Sequence, residues 1–238
     1  VDLSGPGGLG DGATDALTVN GTNGSDSIVV SGTATAVTVG GLHATVNAVF
    51  FDGDDRLTVN GQGGDDVINA SAVAADSIRL TLNGGLGSDL LVGGAGGEQF
   101  NGGDGNDTMY GGNNVGVADL SADTMDGGAG NDYIQGEAGN DTLFGSSGGD
   151  TIGGGDGNDT MDGGGGADSM AGGIGKDIMT GGAGNDNING EASNDTIDGG
   201  NGNDTLAGGV DLDIFLFSTT LNAIDNVEVG GVQILKNK

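Results

Sequence analysis

The feature of this sequence that most restricts its fold is a nine-residue repeat that begins at Gly84 and runs to Leu216. Units such as GGDGNDTMY at Gly102 and GGNGNDTLA at Gly199 follow one another almost without a break, and 14 units can be counted. Units this short cannot bury an apolar side alone, so neighbouring units must stack to form a continuous core. The period therefore predicts a solenoid rather than an ordinary globular domain.

Two positions of the repeat keep their residue type through the whole array. The sixth is Asp in every unit except one, where Glu98 replaces it. The eighth is always large and apolar: Leu91, Phe100, Met109, Met125, Ile134, Leu143, Ile152, Met161, Met170, Met179, Ile188, Ile197, Leu206 and Phe215. The composition, with 3% aromatic residues and a net charge of −30, is otherwise typical of a disordered chain. Two positions held in phase over 14 units argue against disorder.

Each unit predicts a glycine turn followed by a short strand. Glycine adopts the backbone angles that a reversal within about six residues needs, and residues with a Cβ resist those angles. In positions seven to nine the middle residue points inward and its neighbours point outward, as strand alternation requires. Two units then form one coil of about 18 residues, and stacked coils form two parallel sheets around a thin core.

The turns also present the kind of ligand that calcium prefers. Tight glycine turns leave carbonyl oxygens on one side, and the sixth-position Asp adds a charged oxygen. Calcium takes roughly 6 to 8 oxygens at about 2.3–2.6 Å, whereas magnesium demands a stricter octahedron and zinc prefers nitrogen and sulfur. The 35 acidic against 5 basic residues favour cations as partners and argue against nucleic acid and anionic membrane surfaces. No apolar run approaches the roughly 20 residues that membrane insertion needs.

The pattern G-G-x-G-x-D-x-U-x, in which U is large and apolar, resembles that of the RTX (repeats-in-toxin) or hemolysin-type calcium-binding proteins. The resemblance covers residues 84–216 and implies an all-β fold, a right-handed parallel β-helix or β-roll solenoid. In that family the ions lie between turns one coil apart, so units n and n+2 share a site. This arrangement implies about 12 calcium ions and a chain that is unfolded without them.

Carried onto this chain, the resemblance gives two rows of metal-ligand candidates. One row consists of Asp89, Asp107, Asp132, Asp150, Asp168, Asp186 and Asp204. The other consists of Glu98, Asp123, Asp141, Asp159, Asp177, Asp195 and Asp213. Turn carbonyls would complete the sites, and the candidates are Gly85, Gly87, Gly103, Gly105, Gly128, Gly130, Gly155, Gly157, Gly173, Gly175, Gly182, Gly184, Gly200 and Gly202. We expect weaker sites at Glu98, which is one methylene longer, at Asp123, which follows an insertion, and at the unit beginning at Gly208, which lacks the fourth-position glycine.

Residues 1–83 predict wider, less regular coils of the same kind, which narrow into the regular array at 84–216. Alternation and β-branching predict strands at Ser27–Val30, Ala36–Val39, Val46–Phe51, Arg56–Asn60 and Ile78–Asn83. Units at Gly21 and Gly61 fit the nine-residue pattern and add Asp26 and Asp66 to the metal-ligand candidates, while Asp15 and Asp55 lie in rougher copies.

Two further segments depart from the period. The enlarged unit Gly111–Asp126 contains Asn113–Leu120, which we expect to loop out of the coil. Residues 217–238 lose the glycine turns and gain apolar residues, so we expect a cap or tail over the open end of the solenoid. Many RTX proteins carry a type I secretion signal near the C-terminus, and the resemblance makes that secretion machinery a partner if the chain is full-length. The chain begins with Val1 rather than Met, so we expect a processed form or a fragment.

The sequence offers no set of residues for catalysis. His43 is the single histidine, with neither a G-x-S-x-G context nor an HExxH motif, so we expect no enzyme. Three functions stay open: a calcium-driven folding module of a secreted bacterial protein, an extracellular structural or adhesive protein that stacks end to end into filaments, and the calcium module of a secreted enzyme whose catalytic domain lies elsewhere. All three place the chain outside the cell or on its surface.

Overall fold

The structure is a computed structural model that describes residues 14–33, 36–41, 46–49, 55–74, 78–112, 120–217, 226–228 and 232–236. The regular secondary structure in these ranges consists of β-strands. In chain order the strands are β1 (Ala16–Asn20), β2 (Ser27–Thr33), β3 (Ala36–Gly40), β4 (Val46–Val49), β5 (Arg56–Gly63), β6 (Val67–Val73), β7 (Arg79–Leu86), β8 (Leu90–Val92), β9 (Gln99–Asp104), β10 (Thr108–Tyr110), β11 (Thr124–Ala129), β12 (Tyr133–Ala138), β13 (Thr142–Ser147), β14 (Thr151–Asp156), β15 (Thr160–Gly165), β16 (Ser169–Ile174), β17 (Ile178–Ala183), β18 (Asn187–Ala192), β19 (Thr196–Asn201), β20 (Thr205–Ala207), β21 (Asp213–Phe217), β22 (Asn226–Glu228) and β23 (Val232–Lys236).

The strands form two sheets that run along the whole described chain. One sheet has the order β1-β5-β7-β9-β11-β13-β15-β17-β19-β21-β23, and the other has the order β22-β20-β18-β16-β14-β12-β10-β8-β6-β2-β3-β4. From β5 onward the chain alternates between the sheets, and every neighbouring pair within a sheet is parallel. The predicted β-roll is therefore confirmed, because repeats n and n+2 lie side by side.

The core of the roll is a double row of the eighth-position side chains. In one sheet Met125 lies beside Leu143 and Leu143 beside Met161, and in the other sheet Ile134 lies beside Ile152. All of the eighth-position residues are buried. Because each repeat contributes one such side chain, the apolar core is thin and the turns must supply much of the cohesion.

The N-terminal coils are longer and bury more apolar side chains than those of the roll, while their greater width stays a prediction. Strand β5 buries both Leu57 and Val59, and β7 buries both Leu80 and Leu82, whereas a roll strand buries one large side chain. The predicted strands are present, although β4 ends at Val49 and residues 50–51 lie outside the described residues. The predicted boundaries of the three regions, at residues 83 and 216, stay predictions.

One feature of this region differs from the expected stack of coils. Strands β2, β3 and β4 form an antiparallel meander at the end of their sheet. Two residues separate β2 from β3, and a connection this short joins antiparallel strands because parallel neighbours need a long crossover. Alternation within a strand predicts its existence but does not distinguish these two pairings, so the sequence did not reveal the meander.

The two irregular segments leave the stack of sheets intact. Residues 113–119, which hold most of the predicted loop, lie outside the described residues, as does His43. The pairing of β9 with β11 nevertheless stays in phase across the insertion, with Gln99 opposite Thr124. In the tail, β22 pairs with β20 and β23 pairs with β21, both in parallel, while the capping role stays a prediction. Nowhere in the described ranges does a helix reach the length and hydrophobicity needed to cross a membrane.

Candidate metal centres

The sixth-position aspartates form two continuous ladders, one at each edge of the solenoid. The backbone N–H of each Asp donates to Oδ1 of the Asp one coil further, as from Asp89 to Asp107 at 2.8 Å and from Asp159 to Asp177 at 2.9 Å. The first ladder consists of Asp26, Asp66, Asp89, Asp107, Asp132, Asp150, Asp168, Asp186 and Asp204. The second ladder consists of Glu98, Asp123, Asp141, Asp159, Asp177, Asp195 and Asp213. The structure therefore brings together both predicted rows in the predicted order.

Many of these carboxylates bury their second oxygen without a hydrogen bond. Asp107 is 1% exposed and Asp150 is 2% exposed, so water cannot solvate the carboxylates freely. The Oδ2 atoms without a hydrogen-bond partner include those of Asp66, Asp89, Asp107, Asp132, Asp150, Asp159, Asp168, Asp177, Asp186 and Asp195. A buried anionic oxygen without a partner is unfavourable, because it has lost its hydration and gained nothing in exchange. A row of such atoms indicates that a positive ligand belongs beside them.

The electrostatics of the ladders agree with this interpretation. Burial raises the pKa of Asp107 to about 7 and that of Asp195 to about 7, although a hydrogen bond from the neighbouring backbone N–H acts in the opposite direction. Burial likewise raises the pKa of Asp177 to about 6. Neighbouring aspartates of the same ladder raise the pKa further because adjacent carboxylates repel each other. Without a cation, the fold therefore opposes the charged form of the ladders at neutral pH.

The glycines of the turn make room for the oxygen atoms. A Cβ on Gly102, in the first position, would collide with Oδ2 of Asp107 and would lie 2.5 Å from the carbonyl oxygen of Gly127 in the next coil. Gly105, in the fourth position, has φ +144, and a Cβ there would collide with the carbonyl oxygen of Gly87 in the coil before. Carboxylate and carbonyl oxygens thus approach the same glycine backbone from adjacent coils.

The predicted glycine ligands share one conformation. Every glycine that we proposed from the second and fourth positions has a positive φ, from 88° at Gly200 to 157° at Gly202. Some units place another residue in the second position, and Glu137 and Ser146 then adopt φ of 74° and 75° at a steric cost. The turn geometry is therefore common to the array, while coordination by each carbonyl stays a prediction.

The donor set fits calcium. Within the described ranges no group of three or more His, Cys, Asp or Glu side chains comes together, so carboxylates alone cannot enclose an ion. A cation would be held by the ladder carboxylates and by carbonyl oxygens of the glycine turns. Such a set consists of hard oxygens on an adaptable backbone, which suits calcium and excludes the nitrogen and sulfur ligation typical of zinc.

The ladders also reveal where a site is altered. At Glu98 the longer side chain turns back, and its Oε2 accepts a hydrogen bond from the N–H of Gly94 at 3.1 Å. Asp123 keeps its position in the second ladder despite the insertion. Its N–H donates to Oδ1 of Asp141 at 2.8 Å. Asp211 replaces the fourth-position glycine and adopts φ of 78°. The weaker binding that we predicted at these units stays a prediction.

Sequence reasoning missed a further row of hydrogen bonds beside each Asp ladder, formed by asparagines in the fifth position. Oδ1 of Asn106 accepts from the N–H of Asn131 at 2.7 Å, and Oδ1 of Asn131 accepts from the N–H of Gly149 at 2.7 Å. The same contact joins Asn140 to Asn158. The recurring Gly-Asn-Asp triplet is the signal that could have revealed it. In these bonds the N–H groups of the turns donate to asparagine oxygens. The carbonyl oxygens are the turn backbone groups that remain available to a cation.

Comparison with known families agrees with the geometry. The profile of the RTX calcium-binding nonapeptide repeat (4 copies) matches residues 83–115, 117–152, 145–179, 153–188 and 180–215, which together cover more than half of the chain. The chain belongs to this family, and its repeats bind calcium ions at multiple sites. A search of curated proteins finds no match.

Proposed function

We propose that this chain is a calcium-driven folding module of a secreted bacterial protein, unfolded where calcium is scarce and folded where calcium is plentiful. The observation that carries the proposal is the row of buried Oδ2 atoms without hydrogen-bond partners, exemplified by Asp107, Asp132 and Asp150. Each of these atoms is stabilised by a cation and destabilised without one.

The proposal follows from the charge repulsion and the backbone entropy that oppose folding without a metal. Ladder carboxylates lie one strand spacing apart, about 4.8 Å, and like charges at that distance in a buried edge repel strongly. The core that opposes this repulsion has one large apolar side chain per repeat, and the glycine-rich backbone loses much entropy when it is ordered. Calcium binding therefore supplies folding free energy, as in other small metal-dependent domains.

The charge of the chain supports a full array. Each row of the repeat region has seven members and six gaps, and about a dozen divalent ions in those gaps would carry roughly +24 against the net charge of −30. The number of ions is thus of the order needed to neutralise the chain.

We place the module outside the cell or on its surface, because calcium is scarce in the cytosol and the fold depends on it. Low cytosolic calcium would keep the chain extended for passage through the type I secretion machinery, and external calcium would then fold it. We also propose that the chain itself is not an enzyme, since the buried acidic residues in the described part of the chain belong, with the exception of Asp55, to the ladders. A catalytic domain elsewhere in a longer protein is compatible with this role.

Circular dichroism in EGTA and in millimolar Ca²⁺ tests the proposal, with native mass spectrometry to count the ions. We expect sheet signal and about a dozen ions only in calcium, with Mg²⁺ as the matched control cation. Equal sheet content in both buffers, or only one or two ions on the folded chain, would overturn the proposal.

End-to-end association is a second candidate because of the sheet edges. In the described part of the chain, β1 and β4 are the terminal strands of their sheets at the N-terminal end. A terminal strand offers backbone groups to another copy. Sedimentation velocity in Ca²⁺ over a hundredfold range of protein concentration tests this function, which predicts growing species, whereas a constant monomer excludes it.

A further inference from the structure

The first Asp ladder continues beyond the repeats that the family profile matches, to Asp66. The N–H of Asp66 donates to Oδ1 of Asp89 at 2.7 Å, and Oδ1 of Asp66 accepts from the N–H of Asp26 at 2.7 Å. Asp66 is 1% exposed, and its Oδ2 has no hydrogen-bond partner. This carboxylate therefore has the same environment as those of the roll, although it lies N-terminal to residue 83, where the matched segments begin.

The turn that precedes Asp66 repeats the geometry of the roll turns. A Cβ on Gly61 would collide with Oδ2 of Asp66 and would lie 2.6 Å from the carbonyl oxygen of Gly84 in the next coil. Gln62 and Gly64, in the second and fourth positions, have φ of 85° and 106°. Carboxylate and carbonyl oxygens thus gather at this turn as they do around Gly102 in the roll.

The next turn toward the N-terminus is built differently. Oδ2 of Asp26 accepts from the backbone N–H of Thr22 at 2.6 Å and from Oγ1 of Thr22 at 2.9 Å. Asp26 is also partly exposed, unlike the buried carboxylates further along the ladder. At Asp26, Oδ2 is therefore hydrogen-bonded by Thr22 and accessible to water, whereas the equivalent Oδ2 of Asp66 has no hydrogen-bond partner.

We propose that the calcium array extends by one site past the family repeats, to the turn at residues 61–66, and ends before Asp26. Asp66 supplies the charged oxygen, and backbone carbonyls of the turns at residues 61–64 and 84–87 supply neutral ones. At Asp26 the two donors of Thr22 take the place of the cation. The ion at Asp66 joins the longer N-terminal coils to the roll. This inference rests on the proposed function, since it assumes that unpartnered ladder oxygens mark calcium sites.

Native mass spectrometry of the full chain in Ca²⁺ tests the site with a matched pair of variants, Asp66→Asn and Asp26→Asn. Both substitutions remove one negative charge from the same ladder and keep an oxygen that can accept the backbone hydrogen bond. We expect Asp66→Asn to bind one ion fewer than the wild type and Asp26→Asn to bind the same number. An unchanged count in a folded Asp66→Asn variant would overturn the inference.

A second measurement keeps the test decisive if Asp66→Asn does not fold. A crystal structure of the wild-type chain grown in Ca²⁺ either contains an ion beside Oδ2 of Asp66 or does not, and absence of the ion there overturns the inference. The two proposals fail in different ways. A wild-type chain that folds without calcium contradicts the proposed function, whereas a chain that binds calcium in the roll but not at Asp66 contradicts only this site.

Discussion

The N–H of Asp107 donates to Oδ1 of Asp132 at 2.8 Å, while Oδ2 of the same Asp132 side chain is buried without a hydrogen-bond partner. Under the proposed function one carboxylate serves two purposes, because one oxygen ties adjacent coils together and the other would face the cation. Loss of the cation would then leave a buried carboxylate uncompensated at the same residue that holds two coils together. The proposal therefore couples calcium binding and coil stacking through single residues.

Asp150→Asn should weaken calcium-dependent folding, because Asn keeps the Oδ1 that accepts from Asp132 but loses the charge of a buried ligand. We expect the free energy of unfolding at fixed Ca²⁺ to fall by roughly 1–3 kcal/mol and the ion count to fall by one or two. Urea unfolding at fixed Ca²⁺, followed by circular dichroism, measures the free energy, and native mass spectrometry counts the ions.

Asp162→Asn is the matched control for this prediction. Asp162 is exposed on the outer face of β15 and is not a ladder member, so the substitution removes the same charge and only relieves its repulsion of the ladder residue Asp168. Its free energy of unfolding should stay within about 0.5 kcal/mol of the wild type, as is usual for surface substitutions. Equal shifts in the two variants would mean that overall charge, rather than the ladder site, controls folding.

The pH dependence of the metal-free chain follows from the raised pKa values. Burial raises the pKa of Asp107 and Asp195 to about 7 from an ordinary 3.8, so the folded state binds these protons more tightly than the unfolded state does. The resulting stability is fully present below the ordinary pKa and is lost as pH rises through about 7. Calcium-free protein should therefore gain sheet content on acidification from about pH 8 to pH 4, because protons then replace the cation.

A circular dichroism titration of protein freed of calcium by dialysis checks this sign, with residual metal measured by mass spectrometry. Protons and calcium bind the same carboxylates of the folded chain and both favour folding, so the calcium midpoint of folding should fall as pH is lowered from about 8 through about 7. A metal-free chain that loses structure on acidification would contradict the prediction.

The periodicity of the sequence predicts the ladders, because a fixed phase fixes both the coil length and the neighbour of each Asp. It does not predict the Thr22 contact with Asp26, which depends on a single side chain in an irregular turn. Nor does it distinguish the antiparallel meander of β2 to β4 from wider parallel coils, since alternation is the same in both. Features that repeat are thus predictable from the sequence, and features that occur once depend on local packing.

Two adjacent glycines of one turn should respond to alanine to different extents. Gly166 has φ +147, and a Cβ there would collide with the carbonyl oxygen of Gly148 in the coil before. At Gly165 the nearest atom to an added Cβ is 3.9 Å away. Gly166→Ala should lower the free energy of unfolding in calcium by at least about 1–3 kcal/mol, while Gly165→Ala should change it by less than about 1 kcal/mol. Urea unfolding at fixed Ca²⁺ measures both free energies. Equally small effects of the two substitutions would show that the fourth position tolerates a side chain.

The longer N-terminal coils should persist longest when calcium is removed. Each of their strands β5 and β7 buries two large apolar side chains, and an asparagine ladder supports them, since Nδ2 of Asn60 donates to Oδ1 of Asn20 at 2.7 Å and Nδ2 of Asn83 donates to Oδ1 of Asn60 at 2.6 Å. Roll strands such as β15 and β17 instead bury one large apolar side chain each, Met161 and Met179. Hydrogen exchange in EGTA at pH 7.5 should therefore be at least about tenfold slower in β5 and β7 than in β15 and β17, because local opening free energies follow local burial.

In Ca²⁺ the difference should shrink as the roll becomes protected. Uniform exchange along the chain in EGTA would mean that the N-terminal coils depend on calcium as much as the roll does.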